Sequence, residues 1–209
     1  YNNVISLSKK QYDELSKEKD KYADVIAALS KQMAEVEAKR SAVSESIKQE
    51  VRLARVRQSG DYLTVKEAKR LYLDKDWKPQ IYTANDFEEK IIDNDKVVFD
   101  KTTKLMWQQS GSEEYMAYNK AGRYIEQLNH CKFAGYSNWR LPTLREAITL
   151  LEPEKNSDEL FIGSEFDNSQ KWIWTSDLNS ASRAWIVSFY YGHCNRNDFF
   201  TNFYVRAVR

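Results

Sequence analysis

The chain has 209 residues, which is enough for one core of ordinary size with an appendage, or for two small domains. Its 32 Lys and Arg nearly balance its 31 Asp and Glu, and this balance argues against a nucleic-acid-binding protein, which usually carries a clustered basic excess. No stretch approaches the roughly 18 apolar residues that span a bilayer. Because the first residue is Tyr1, we expect the native N-terminus to lie upstream, which leaves a cell-surface and a cytoplasmic location both open.

Residue types are distributed unevenly along the chain. Residues 1–58 contain no Trp, Pro or Gly, whereas all but one of the six Trp follow residue 100. Two architectures therefore share the chain. We predict a helical coiled-coil stalk over residues 1–58, a connector over 59–95 and a binding domain over 96–209, which together make an α+β protein.

A helix is predicted over residues 7–57, where Lys, Glu, Ala, Ser and Leu dominate and no helix breaker occurs. Its apolar side chains recur at alternating spacings of four and three residues, as in a coiled coil. One row of this seam contains Leu15, Tyr22, Leu29, Val36 and Val43, and the other contains Lys19, Ile26, Met33, Arg40, Ile47 and Ala54.

Such a seam needs a partner, and we expect self-association as a parallel dimer or trimer. Lys19 and Arg40 would weaken the assembly while they fix its register. A helix that folds back as an antiparallel hairpin near residues 38–44 and a frayed tail are the alternatives.

The connector is predicted to contain one short helix over residues 65–73. Thr64 is its N-cap, and Glu67 completes a capping box three residues later. Pro79 ends regular structure, and the acidic stretch 85–95 is predicted to be a loop. We expect the connector to pack on the following domain because its apolar residues need cover, namely Leu71, Tyr72, Trp77, Ile81, Tyr82 and Phe87.

Short strands and two helices are predicted for the last part of the chain. A hairpin is expected from strands 96–100 and 105–108. Helices are predicted over 118–130 and 144–151, and the second begins at a capping box of Thr143 and Glu146. Aromatic strands are predicted over 172–175, 184–189 and 204–208.

Five segments of this part carry a resemblance to a known family: residues 98–108, 135–146, 174–176, 185–192 and 204–209. The most specific is Gly-Tyr-Ser-Asn-Trp-Arg-Leu-Pro-Thr at 135–143. In order and spacing, residues 96–209 resemble the Lcl C-terminal domain family, which is named for the end domain of a bacterial collagen-like adhesin. The resemblance implies a bacterial protein with a C-type-lectin-like domain that is similar in fold to formylglycine-generating enzymes.

Two positions depart from the family pattern. Lys104 stands where the family often has Gly, and Ala207 stands where many members have Cys, so a disulfide to the region of Cys131 is not available. The other motif residues are predicted to form a scaffold, because large aromatic groups such as Trp107 and Trp139 favour burial. A half-buried Arg140 would need a carboxylate partner, for which Glu146 is the candidate.

The segment 188–204 has the composition of a contact surface. It is rich in Tyr and Phe, which give large rigid contact area, and in Asn, which gives adaptable hydrogen bonding. We predict a protein or surface-glycan ligand for it. The candidate ligand-binding residues are Ser188, Tyr190, Tyr191, His193, Asn195, Arg196, Asn197, Asp198, Phe199, Phe200, Asn202 and Phe203.

Two hypotheses for this segment remain open. Some members of this fold class are variable proteins of diversity-generating retroelements, in which Asn codons are rewritten at adenines to Tyr, His, Asp, Cys, Ser or Phe. The segment 190–203 is similar to such an outcome and indicates a hypervariable C-terminal surface. The alternative is an adhesin-like module with a fixed ligand such as an anionic polysaccharide.

Other chemistries have weaker support, and we predict no enzyme, cofactor or metal. A calcium-dependent sugar site needs clustered oxygen ligands, and Glu154 follows Glu152-Pro153 where Asn is usual. An oxidase similar to formylglycine-generating enzymes needs a close cysteine pair. The His-Cys pairs 130–131 and 193–194 diverge too much to share a metal, and His193 with Asp198 is too little for hydrolysis.

Overall fold

The computed structural model describes residues 9–54 and 60–209. The chain divides into two compact units, Tyr1–Arg55 and Val56–Arg209. In the first, helix α1 runs from Lys9 to Ala54. This confirms the predicted long helix, although its predicted ends at residues 7 and 57 lie outside the described residues.

The second unit confirms the α+β class. In chain order its elements are α2 Val65–Leu71, β1 Phe87–Ile92, β2 Asp95–Asp100, β3 Met106–Gln108, β4 Met116–Ala117, α3 Tyr118–Cys131, the 3₁₀ turn Phe133–Gly135, α4 Leu144–Ile148, β5 Trp172–Ser180, β6 Arg183–Ser188, β7 His193–Asp198 and β8 Asn202–Phe203. Within residues 60–209 the strands form three small antiparallel sheets with the orders β1-β2-β3, β4-β8 and β5-β6-β7.

The connector contributes to the core of this unit. The backbone N–H of Leu63 donates to the Leu178 carbonyl at 2.8 Å, and the indole of Trp185 donates to the Leu63 carbonyl at 2.8 Å. Leu63, Ala68 and Leu73 are buried in the same cluster as Trp185. The capping box of Thr64 and Glu67 is present as predicted.

Residues 85–95 are not a loop, and this prediction is wrong. Phe87–Ile92 is strand β1, which pairs with β2 so that Phe87 faces Asp100 and Ile92 faces Asp95. Asp93 and Asn94 join the strands with φ values of 52° and 70°, the geometry of a tight two-residue hairpin turn. The acidic composition of residues 85–95 favoured a loop and outweighed two signals for a hairpin, namely the Asp-Asn pair of the turn and the apolar residues of the strand before it.

The second helix and the last strand are shorter than predicted. Helix α4 begins at its capping box of Thr143 and Glu146 but ends at Ile148. Residues 204–208 form only isolated bridges, because their backbone hydrogen bonds are divided among several elements: Tyr204 bridges to Ile173, and Val208 bridges to Trp107 and Arg140. No single neighbouring strand among the described residues runs beside them for long enough to make a ladder.

The motif residues build the scaffold. Trp107, Trp139, Trp174 and Trp185 are buried. Arg140 donates to both carboxylate oxygens of the buried Glu146, at 2.7 and 2.6 Å, which confirms the predicted pair. Lys104 adopts a φ of 62°, the left-handed conformation that explains why Gly suits this position.

None of the described helices has an apolar stretch long enough to cross a membrane.

Candidate binding surface

The segment 188–204 forms a strand-turn-strand arm. Strand β6 ends at Ser188, a turn reverses the chain, and β7 then pairs with β6. Gly192 holds this turn with a φ of +68°, and its N–H donates to the Ser188 carbonyl at 2.9 Å. A Cβ at Gly192 would lie 2.8 Å from the Phe161 ring, so the turn admits no larger residue without movement.

The turn presents an aromatic group that we name the Tyr190 cluster, consisting of Trp172, Tyr190, Tyr191 and His193. The ring of Tyr190 lies 5.9 Å from Trp172 and 4.8 Å from Tyr191, between ring centroids. Tyr191 stacks on the His193 ring at 5.6 Å and 7°. Tyr190 is 40% exposed and Tyr191 57% exposed, so these large rings face solvent.

Two cations lie beside this cluster. The Nζ atoms of Lys155 and Lys171 are 5.9 and 5.5 Å from the centroid of the Tyr190 ring, within the range of cation–π attraction. The sequence predicted neither lysine for this surface, and it did not predict Trp172. Trp172 could have been inferred by pairing the two predicted strands, since it lies opposite Ser188 in the register of β5 and β6. The two lysines come from other segments, and nothing in the sequence indicated them.

The polar residues of β7 lie on both faces of the sheet. Asn195 and Asn197 face Ile186 and Ala184 in the register, and because side chains alternate along a strand, Arg196 points to the opposite face. There its guanidinium lies 4.9 Å from the centroid of the Trp77 ring.

Asp198 forms an ion pair of 2.9 Å with Arg183, which lies opposite it on β6. Both side chains of this pair are about half exposed. The structure therefore does not bring Arg196 and Asp198 to the same face as the two asparagines.

Ser188 is a correction to the predicted site. It is buried, and its hydroxyl accepts a 3.1 Å hydrogen bond from the N–H of Tyr191. A residue shielded in this way cannot contact a ligand. It instead fixes the backbone that carries the exposed tyrosines.

The predicted phenylalanines have different environments. Phe199 stacks on Tyr118 with centroids 4.7 Å apart, and Phe203 packs edge-on against Trp174 at 4.9 Å. Both rings are half-buried against a core cluster. Phe200, at the tip of the second turn, is 90% exposed, and Asn202 is exposed. Composition alone could not show whether Phe199 and Phe203 belong to the core or to a contact surface.

The thiols and histidines have no shared chemistry within the described residues. Cys131 is exposed, Cys194 is buried, and both are free. Complete burial raises the pKa of the Cys194 thiol. The Nδ1 of His193 lies 3.2 Å from the Cys194 carbonyl. Across residues 9–54 and 60–209 there is no group of three or more His, Cys, Asp or Glu that could hold a metal ion.

The scaffold and its motif segments permit a comparison with known families. No curated protein matches the chain. The Lcl C-terminal domain family matches residues 96–209, which is more than half of the 209 residues. The chain therefore belongs to the Lcl C-terminal domain family, and the matched residues include the Arg140–Glu146 pair, the buried tryptophans and the Tyr190 cluster.

Proposed function

We propose that residues 96–209 are a non-enzymatic, ligand-binding, adhesin-like module whose contact surface is centred on the Tyr190 cluster. One observation carries this proposal: Tyr190 and Tyr191 are 40% and 57% exposed on a turn that Gly192 and Ser188 hold in place. Clustered exposed apolar surface is uncommon unless it binds something. Rings in a fixed turn lose little entropy when a ligand covers them.

The chemistry of the reactive residues supports binding over catalysis. The known contacts of His193 are the Tyr191 ring and a backbone carbonyl, whereas hydrolysis needs a positioned carboxylate and nucleophile. An oxidase would need a reactive thiol pair, but Cys194 is buried and its pKa is raised. The family resemblance adds a C-type-lectin-like arrangement to the proposal.

Self-association through α1 is part of the same proposal. The seam residues Leu15, Tyr22, Ile26, Leu29 and Met33 are all at least half exposed in the single chain. Copies joined through this seam would present several binding modules, so weak single contacts would add up to avidity where the geometry lets them engage together.

The first candidate is a hypervariable recognition protein of a diversity-generating retroelement. It is supported by the division of the arm into exposed residues such as Tyr190, Tyr191 and Asn195 and buried residues such as Phe189 and Tyr204. The test is genomic DNA: a near-copy of the 3′ end of the reading frame, next to a reverse transcriptase gene and differing only at adenines, is expected. Its absence from the surrounding DNA would contradict this candidate.

The second candidate is a module with a fixed ligand that carries negative charge. Lys171 supports it, because it places a cation beside an exposed tyrosine ring on which a sugar could stack, whereas Lys155 beside the same ring is paired with Glu159 at 2.9 Å. This candidate requires no retroelement.

A glycan array with neutral, sulfated and uronic-acid glycans tests the surface itself. The double variant Tyr190→Ala/Tyr191→Ala is expected to lose at least about tenfold in binding, because buried tyrosines often contribute about 2 kcal/mol to an interface. Tyr62→Ala is the matched control, since Tyr62 is 62% exposed and lies in the connector. Wild-type binding by a folded double variant would contradict the proposed surface, and so would a double variant that unfolds, because the rings would then be core.

A further inference from the structure

The apolar stripe of α1 also contains two cations. Lys19 and Arg40 lie on the same seam as Leu15, Ile26 and Leu29, and all five side chains are exposed in the single chain. Any partner of this stripe must therefore accommodate two positive charges. These charges allow an inference about the orientation of the helix pair. This inference rests on the self-association of α1 in the proposed function.

A parallel pairing in register places these charges unfavourably. Each residue of the seam would then face its own copy, so Lys19 would face Lys19 and Arg40 would face Arg40 across the interface. Like charges at such short range repel each other, and burial of the seam weakens screening by solvent.

An antiparallel pairing removes this conflict. With Ile26 opposite Leu29 of the second copy, Lys19 lies opposite Val36 and Arg40 lies opposite Leu15 of that copy. The aliphatic stems of Lys and Arg can then cover the apolar neighbour while their charged ends reach water. The central layers contain only Tyr22, Ile26, Leu29 and Met33.

The residues that flank the seam favour the same arrangement. Glu18 and Lys39 occupy the same flanking row of the heptad, and such flanking charges set the orientation of helix pairs. In the antiparallel register the flanking rows of the two copies face each other, and Glu18 lies only about 3 Å along the axis from the level of Lys39 of the second copy, at 1.5 Å per residue. Symmetry makes this pair occur twice. In a parallel pair Glu18 would instead face Ala23, and no acidic residue would face Lys39.

We propose that two copies of this chain pair through antiparallel α1 helices, with Ile26 of one opposite Leu29 of the other. The C-terminal ends of the two helices then lie about 80 Å apart along the axis, at 1.5 Å per residue. The binding modules come after those ends in the chain.

Distances between spin labels on the full-length protein test the orientation. Labels are placed on Lys17→Cys and, separately, on Lys31→Cys, both on the outer face of α1, in a Cys131→Ser background. The antiparallel register predicts axial offsets of about 32 Å at residue 17 and about 10 Å at residue 31. The label-to-label distance is therefore expected to be clearly longer at 17 than at 31.

Equal short distances at the two sites would overturn the proposal in favour of a parallel pair, and a mass of three chains by light scattering would overturn the two-copy assembly. A mass near that of a single chain, 24.6 kDa, would overturn self-association altogether. None of these outcomes affects glycan binding by the Tyr190 cluster, so failure here and failure of the ligand-binding proposal are distinguishable.

Charge reversal gives a second measurement of the same pair. Glu18→Lys and Lys39→Glu are each expected to raise the dissociation constant of the dimer several-fold, and the double variant is expected to restore it. Lys31→Glu on the outer face is the control and should leave dimerisation unchanged. Failure of the double reversal to restore dimerisation would contradict the Glu18–Lys39 contact and with it the proposed register.

Discussion

The two cysteines of this chain share one chemistry but occupy opposite environments. Cys131 is exposed at the C-terminal end of α3, whereas Cys194 is buried on β7 within the core that contains Trp185. Burial disfavours the charged thiolate and therefore raises the pKa of the Cys194 thiol. Since the thiolate is the nucleophile, reactivity should follow exposure.

Alkylation of the native protein is expected to modify Cys131 and spare Cys194. Treatment with iodoacetamide at neutral pH, followed by mass spectrometry, should show one modified thiol per native chain and two after denaturation. The Cys131→Ser variant is the control and should react only when denatured. Rapid labelling of both thiols in the native protein would contradict the burial of Cys194.

Arg206 is a second residue whose environment decides its role. Its side chain is buried, donates to the Asp167 carbonyl and the Gln170 Oε1 at 3.1 and 2.9 Å, and lies 4.7 Å from the Phe166 ring. Burial lowers the pKa of this arginine to about 9. Arg206 thus links the segment that contains Phe166 and Gln170 to the bridged residues 204–208, and it belongs to the scaffold.

At the scale of elements, the connector is fixed where it enters the second unit. Asp61 donates its N–H to the Asp177 carboxylate at 2.9 Å, and the Asp61 carbonyl accepts from Leu178 at 2.9 Å. A Cβ at Gly60 would lie only 1.9 Å from the Ser176 carbonyl oxygen. The backbone of Gly60 therefore packs directly on β5, and only glycine fits.

Gly60→Ala is expected to destabilise the protein by about 3 kcal/mol, because its Cβ would displace the segment and weaken roughly three hydrogen bonds worth about 1 kcal/mol each. Gly122→Ala is the matched control: no atom lies within 4 Å of its Cβ, and alanine in a helix stabilises by about 1 kcal/mol. Urea unfolding measures both. Equal stability of Gly60→Ala and the wild type would contradict the close approach to Ser176.

Local elements were predictable where the signal was local. Both capping boxes, Thr64 with Glu67 and Thr143 with Glu146, were predicted because each depends on four consecutive residues. Strand β1 was missed because its acidic composition masked the Asp93-Asn94 turn. The short bridges of residues 204–208 were also missed, since their hydrogen-bond partners come from several distant segments.

At the scale of the whole molecule, the free energy of unfolding is expected to change with pH in the alkaline range. Tyr118 is packed between Trp174 and Phe199, and burial, with a smaller effect of the Asp177 charge, raises the pKa of Tyr118 to about 12. An unfolded tyrosine ionises near pH 10. Its contribution to stability is therefore fully present below about pH 10 and is lost as the pH rises towards 12.

Tyr118→Phe is expected to lose less stability than the wild type between pH 10 and 12, as measured by the free energy of unfolding in urea. Identical slopes for the two proteins over this range would contradict a buried, un-ionised Tyr118.

The sequence by itself determined the α+β class, the long N-terminal helix, the family and the segment where exposed aromatic residues are concentrated, because these depend on composition, period and short motifs. Only the tertiary structure decided which of the twelve predicted residues face solvent. It buried Ser188, packed Phe199 and Phe203 against the core, turned Arg196 away from Asn195 and Asn197, and brought Trp172, Lys155 and Lys171 to the Tyr190 cluster. The reason is physical: an aromatic residue is equally suited to a core and to a contact surface, and the choice depends on neighbours that arrive from distant parts of the chain.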